Sequence, residues 1–183
     1  FEDDMKSFIQ RCREVLSQSL VNKNRIKKGL LPATDIWPWS QGEMPVLPSF
    51  KETYNRTGGI VTAVDLLKGL ATLTGLEAPN VVGATGFIDT NYQSKVDEAR
   101  SILETHDFVY FHVEAPDECG HMGDASLKVK SIEAFDEYIV GPMLEYQKQH
   151  PDTKILVLPD HPTPCAIKTH TSDPVPFVMS GPG

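Results

Sequence analysis

The sequence predicts an α/β domain built on a mainly parallel sheet with helices on both faces, and three observations carry that expectation. Short apolar segments read as buried strands at Ile60-Val61, Asn80-Val81-Val82, Phe108 to Val113, Lys154 to Leu158 and Pro176 to Met179. Amphipathic stretches of helical length separate most of them, and that alternation is the signature of strands paired in parallel through helical crossovers. The chain has 183 residues, 40% of them apolar, enough to bury one sizeable core.

Each element has a local reason. Met5, Phe8, Ile9, Cys12, Val15, Leu16 and Leu20 recur on one side of a helix expected from Asp3 to about Leu20, with an aspartate as its N-cap. Residues 21 to 48 change character: Pro32, Pro38, Pro45 and Pro48, with the run Ile36-Trp37-Pro38-Trp39-Ser40-Gln41-Gly42, forbid a regular helix and oppose a central strand. An ordered connection is expected there. From Gly58 onward the order is strand at Ile60-Val61, helix near Ala63 to Leu73, strand at Asn80 to Val82, and a tight turn at Gly83-Ala84-Thr85-Gly86. That turn lacks the Lys-Ser/Thr ending of a phosphate-cradling loop. A helix at about Tyr92 to Thr105 precedes the strand Phe108 to Val113. A long helix from about Ala125 to Gln149, open to a break at Gly141-Pro142, precedes the strand Lys154 to Leu158. The chain opens on Phe1 and stops at Gly181-Pro182-Gly183, just after an apolar run, so a fragment of a longer protein is expected.

Composition removes several function classes. A net charge of −8 opposes nucleic-acid and anionic-membrane surfaces, which need clustered Lys and Arg; the basic run Lys23, Arg25, Lys27 and Lys28 reads as a solvated turn after a helix. The sequence has neither an apolar stretch of spanning length nor a signal-like start, so a cytoplasmic location is expected. Cys12, Cys119 and Cys165 are odd in number and show no disulfide or zinc-knuckle spacing, so reduced thiols are expected.

The chemistry concentrates in three segments of the last third: Asp117-Glu118-Cys119-Gly120-His121, Asp160-His161 and Thr169-His170-Thr171. Each follows an expected strand, and ligands of open α/β sheets gather beyond the carboxyl ends of strands. Asp117 and His121 stand four apart, so one helical turn projects both to the same side. Asp160 and His161 are adjacent, and a bend after Leu158-Pro159 lets both converge; His170 reaches back to complete a first site. Two carboxylates and three imidazoles are too many for one structural zinc and fit two divalent ions, with manganese, zinc or cobalt suited to mixed oxygen and nitrogen donors. The surrounding groups have plainer readings. Cys119 and Cys165 read as buried small residues, and His106, His112 and His150 as occupants of a helix end, a strand interior and a helix end. Lys128, four after Asp124, reads as half of a surface ion pair, and Glu133, Asp136 and Glu137 as a solvated face.

Asp117-x-x-x-His121, Asp160-His161 and His170 followed by Asp173-Pro174-Val175-Pro176 resemble the alkaline phosphatase superfamily, and within it the archaeal-type cofactor-independent phosphoglycerate mutases. Gly58-Gly59-Ile60-Val61-Thr62-Ala63-Val64-Asp65-Leu66-Leu67-Lys68-Gly69, the Gly83 to Gly86 turn, and Lys128, Ile132, Glu133 and Asp136 extend the resemblance from about Asn24 onward. It implies an alkaline-phosphatase-like fold and a small phosphorylated substrate, phosphoglycerate. Two divalent ions would activate a serine that moves the phosphoryl group between the 3- and 2-positions. Carried over, Asp117, His121 and His170 hold one ion, and Asp160 and His161 the other. The serine and a further aspartate of the family pattern have no match here, and Arg56-Thr57 stands where a lysine is expected, so the chain alone is expected to be catalytically incomplete. Residues 1–28 are then expected to be the tail of an inserted substrate domain or a connecting helix, and residues 29–183 the carboxyl-terminal part of the metal-binding domain. Two other functions are compatible with the same ligands: a phosphatase, phosphodiesterase or phosphomutase of the superfamily, and a non-catalytic metal-binding module.

Overall fold

The computed structural model describes residues 1–39 and 42–183, so the Ser40-Gln41 step of the proline-rich connection lies outside the described residues. The chain divides into two compact units, Phe1–Met44 and Pro45–Gly183.

The first unit holds α1 (Glu2–Gln18) and α2 (Leu20–Lys27). The single helix expected to end near Leu20 breaks at Ser19, whose backbone turns extended (φ −58°, ψ 130°), and a second helix follows in place of an irregular connection. Lys23, Arg25 and Lys27 of the basic run lie on α2, and Lys28 caps its carboxyl end in the turn that follows. Asn22 is the hinge pin: buried, its amide donates to the Leu16 and Ala33 carbonyls, both at 2.7 Å, and its oxygen accepts from the Ala33 amide at 2.9 Å. Arg13 grips Asp35 through Nε and Nη2 at 2.8 and 2.6 Å. Residues 33–35 therefore belong with these helices.

The second unit opens with α3 (Phe50–Tyr54), β1 (Gly58–Val61) and α4 (Asp65–Thr74), continues through α5 (Tyr92–Leu103) and β2 (Phe108–Phe111), and then runs α6 (Ala115–Met122), α7 (Ala125–Phe135), a π-type turn at Asp136–Val140, α8 (Gly141–Gln149), β3 (Ile155–Val157) and β4 (Val178–Ser180). β1 and β2 pair in parallel, Gly58 opposite Phe108 and Val61 opposite Phe111. β4 returns antiparallel on β3, so the final apolar run closes the chain as a hairpin-like partner and not as another parallel strand.

One expected strand is absent. Asn80 and Val81 are irregular and Val82 enters a turn with Gly83, and the backbone beside β1 is that of Glu77: its carbonyl accepts from Ile60 at 2.7 Å and its amide donates to Gly58 at 3.0 Å. Pro79 has no amide hydrogen to continue that ladder. Val81 instead turns inward to pack with Val61, Ala99 and Ile102, while Val82 stays exposed.

All four residues of β1 are buried, as expected of a strand covered on both sides. α5 lies across β1 and β2, and Gly59 lets it come close: a Cβ there would meet the Ile102 side chain and the Glu77 carbonyl. A second cluster gathers Val96, Ile139 and Met143 under Phe111, Val113 and Ile155, so both strand pairs rest on one helical layer. α7 and α8 are interrupted where the sequence suggested, but the break is a π-type turn before Gly141, not a kink at Pro142.

Ile102 is 2% exposed at the α5–β1 contact, and Ile102→Ala is expected to destabilise the chain by about 2–5 kcal/mol in urea unfolding. Leu66→Ala, on an exposed face, should stay within about 0.5 kcal/mol.

Candidate metal centre

α6 begins with Pro116 in its first turn, where the missing amide hydrogen costs nothing, and ends on Gly123 in the left-handed region (φ 77°). One helical turn therefore sets Asp117 and His121 side by side, His121 Nε2 lying 3.2 Å from Asp117 Oδ2. His121 Nδ1 is 3.0 Å from the Lys168 carbonyl, which can only accept, so Nδ1 carries the ring proton and Nε2 presents its lone pair.

The loop from Pro159 to Thr171 brings the other groups. His170 Nε2 stands 3.0 Å from His121 Nε2 and 3.3 Å from Asp117 Oδ1. The His161 ring packs against His170 with ring centres 3.8 Å apart and the planes tilted by 34°. Its Nδ1 is 4.0 Å from Asp117 Oδ1, and its Nε2 faces Asp160 Oδ2 at 3.5 Å. Asp117, His161 and His170 each bring one donor atom within 4.8 Å of the others. The five residues singled out in the sequence thus sit in one place, with Asp117 at the centre and Asp160, the most exposed, at the rim. Cys119 and Cys165 are not part of this donor set; Cys119 is buried, and burial pushes its thiol up.

The donor chemistry fits a divalent cation. Two imidazole Nε2 atoms 3.0 Å apart, one with its proton already placed on Nδ1, face each other across a carboxylate. Four ligands at about 2.0–2.1 Å around a tetrahedral ion stand about 3.3 Å from one another, close to these separations.

Four polar residues around the site have partners that the sequence did not reveal. Thr163, 3% exposed, donates its hydroxyl hydrogen to Asp117 Oδ1 and lies 3.3 Å from His161 Nδ1. Lys128 is not half of a surface ion pair: Nζ donates to the Thr163 carbonyl at 2.7 Å, while Asp124 caps α7 through the Leu127 amide. His112 lies one residue beyond β2, not within a strand, with Nδ1 3.2 Å from the buried Thr62 hydroxyl. Lys95, 1% exposed, has Nζ 3.4 Å from the His112 carbonyl. The only signal for Thr163 was its place between Pro162 and Pro164, just after Asp160-His161. An interior lysine at Lys95 had none.

The model of the Metalloenzyme superfamily matches residues 15–183. The chain belongs to the Metalloenzyme superfamily. Membership implies use of divalent metal. Among its metalloenzyme relatives, a 2,3-bisphosphoglycerate-independent phosphoglycerate mutase of Methanothrix thermoacetophila is 48% identical over 176 residues, covering 96% of this chain and 45% of the relative. A probable enzyme of the same name from Geobacter sulfurreducens is 47% identical over 165 residues, 90% of this chain and 41% of the relative. The chain thus spans less than half the length of these curated relatives. A solved protein of Pyrococcus horikoshii superposes with a TM-score of 0.81 at 30% identity, covering 98% of this chain and 47% of that one. A cofactor-independent phosphoglycerate mutase from Thermoplasma acidophilum gives 0.56 at 29% identity, over 98% and 41%. The alkaline-phosphatase-like α/β fold expected from the sequence is the fold of this metalloenzyme.

His112 supplies a pH test. Burial lowers its pKa below the ordinary 6.5, against the opposing pull of Asp160 and Asp117. The unfolded chain therefore takes up this proton first as the pH falls. The contribution of His112 is intact above about pH 6.5 and is lost as the pH drops through its lowered native value. In ion-free buffer, urea midpoints from pH 8 to 5 should fall more steeply for the wild type than for His112→Asn; parallel curves would contradict the burial effect.

Proposed function

We propose that the whole protein interconverts 3-phosphoglycerate and 2-phosphoglycerate, and that this chain supplies most of its metal-holding half. The observation that carries the reading is the convergence of the Asp117 carboxylate with His121 Nε2 and His170 Nε2 at 3.0–3.3 Å, in a chain whose relatives are named phosphoglycerate mutases. Asp117, His121 and His170 hold one ion, and Asp160 and His161 contribute to a second; manganese, zinc or cobalt suit such mixed donors. When bound, such ions stabilise charge on phosphoryl oxygens and acidify a coordinated hydroxyl.

The chain's own residues do the rest. Asp117, half-buried among imidazoles, supplies fixed negative charge that draws a cation into the site. The Lys168 carbonyl holds the His121 ring in one orientation and tautomer, so its donor nitrogen is aimed before any ligand arrives. His161, packed against the His170 ring, bridges the Asp117 side and the Asp160 side of the site. The serine nucleophile belongs to the part of the family pattern that this chain does not match. Residues 1–28 are then the tail of an inserted substrate domain or a connecting helix, and 29–183 the carboxyl-terminal part of the metal-binding domain. Among the described residues no helix is long and apolar enough to cross a membrane. The substrate is a small phosphorylated acid and the location the cytoplasm; the net charge of −8 speaks against nucleic acid or an anionic membrane as partner.

Two measurements test this. Calorimetric titration of the ion-free chain with Mn²⁺ or Zn²⁺ should show binding that His121→Ala weakens by about 100-fold or more while the ion-free urea midpoint is nearly unchanged; unaltered binding would remove His121 from the ligand set. In the whole protein, Asp160→Asn should lower conversion of 3- to 2-phosphoglycerate by more than about 100-fold. Near-normal turnover would exclude Asp160 from the reaction, and release of free phosphate in place of isomerisation would assign a phosphatase.

A further inference from the structure

We propose that Thr163 is a positioning residue that sets the orientation of Asp117 and His161 together, through one hydroxyl group placed between them. The inference rests on the metal-binding reading above and adds a residue that neither the ligand motifs nor the family assignment singles out.

The argument is one of proton accounting. A threonine hydroxyl has one hydrogen to give and two lone pairs to receive. The Thr163 hydroxyl gives its hydrogen to Asp117 Oδ1, because an ionised carboxylate has none to offer in return. The contact at 3.3 Å with His161 Nδ1 must then run the other way, with Nδ1–H donating to Oγ1. That places the His161 ring proton on Nδ1 and leaves Nε2 with a bare lone pair, directed at the Asp160 side, where Oδ2 lies 3.5 Å away. The relay from His161 through Thr163 to Asp117 therefore links a ligand proposed for one ion with a ligand proposed for the other.

Thr163 is built to hold still. Pro164 confines it to extended backbone, and Pro162 fixes the residue before it. Its carbonyl accepts the Lys128 ammonium at 2.7 Å, and the Pro162 carbonyl accepts the Thr171 amide at 3.1 Å, tying the same loop to the residue after His170. The loop sits directly on α6 because Gly120 has no side chain; a Cβ there would overlap the Thr163 carbonyl. At 3% exposure, little water reaches the Thr163 hydroxyl to compete for either hydrogen bond.

A merely space-filling threonine and an orienting one respond oppositely to two substitutions. Thr163→Val keeps the shape and removes the hydroxyl; Thr163→Ser keeps the hydroxyl and removes the methyl. The first readout is ¹⁵N NMR of histidine in the ion-free chain at pH 8, above the ordinary imidazole value of about 6.5. His161 is expected as the Nδ1–H tautomer in the wild type and in Thr163→Ser, and as a tautomer mixture in Thr163→Val. The second is calorimetric titration with Mn²⁺, in which Thr163→Val should bind about 10–100-fold more weakly and Thr163→Ser within about threefold of wild type. Thr163→Val matching the wild type in both readouts, or a wild-type His161 protonated on Nε2, would overturn the proposal. Should the wild type show the Nδ1–H tautomer but bind no ion, the hydroxyl relay stands and the metal reading falls.

Discussion

Everything at this site depends on one half-buried negative charge. Asp117 is approached by His121 from its own helix, by His161 and His170 from the loop between β3 and β4, and by the Thr163 hydroxyl, and among the described residues no lysine or arginine is paired with it. A carboxylate that is partly withdrawn from water needs compensation. Hydrogen bonds from a hydroxyl and from neighbouring imidazoles offset part of that cost, and a bound cation would add the strongest favourable interaction. The same charge explains why the loop takes this path: its polar groups find their partners on α6.

The fold makes the approach possible through absences of side chain. Gly59 lets α5 lie against the parallel pair, and Gly120 lets the loop backbone touch α6. Between them, α5, the π-type turn and α8 form the layer on which both strand pairs rest, so β2 and β3 hold their carboxyl ends at related positions without hydrogen-bonding to each other. The metal-ligand candidates leave those two ends: α6 starts just after β2, and Asp160 just after β3. This is the placement that open α/β sheets give to their ligands, reached here from two separate strand pairs.

Much of this was legible in the sequence where the signal was local. The parallel strands, α5 and the turn of helix carrying Asp117 and His121 follow from periodicity and spacing, because a four-residue step on a helix has only one geometric outcome. The strand at Asn80 to Val82 was misread because a short apolar step such as Val81-Val82 looks alike whether it extends a sheet or turns into a core, and Pro79 opposed the sheet. α2 was hidden by the prolines that follow it, although none lies within it. Lys128 was assigned to Asp124 by helical spacing, yet Asp124 caps α7 and the lysine reaches across to the loop. That choice depends on a contact 35 positions away. His112, Lys95 and Thr163 belong to the same category: each has its role set by a partner that only the tertiary structure supplies.

The sequence separations within the site have their own consequence. The Thr163–Asp117, His121–Lys168 and His121–His170 contacts join residues 46, 47 and 49 positions apart, and between Val157 and Val178 the loop contains neither helix nor strand. The loop buries few apolar side chains, whereas the core between α5 and the strands is shut. Such a segment assembles late, after the closure entropy of a long loop has been met, and opens at a lower free energy than the core beneath it. A cation bridging α6 and this loop would therefore act as a fastener on the least cooperative part of the molecule. Occupancy would be felt chiefly as slower amide hydrogen exchange between Pro159 and Thr171, with the strand core unchanged.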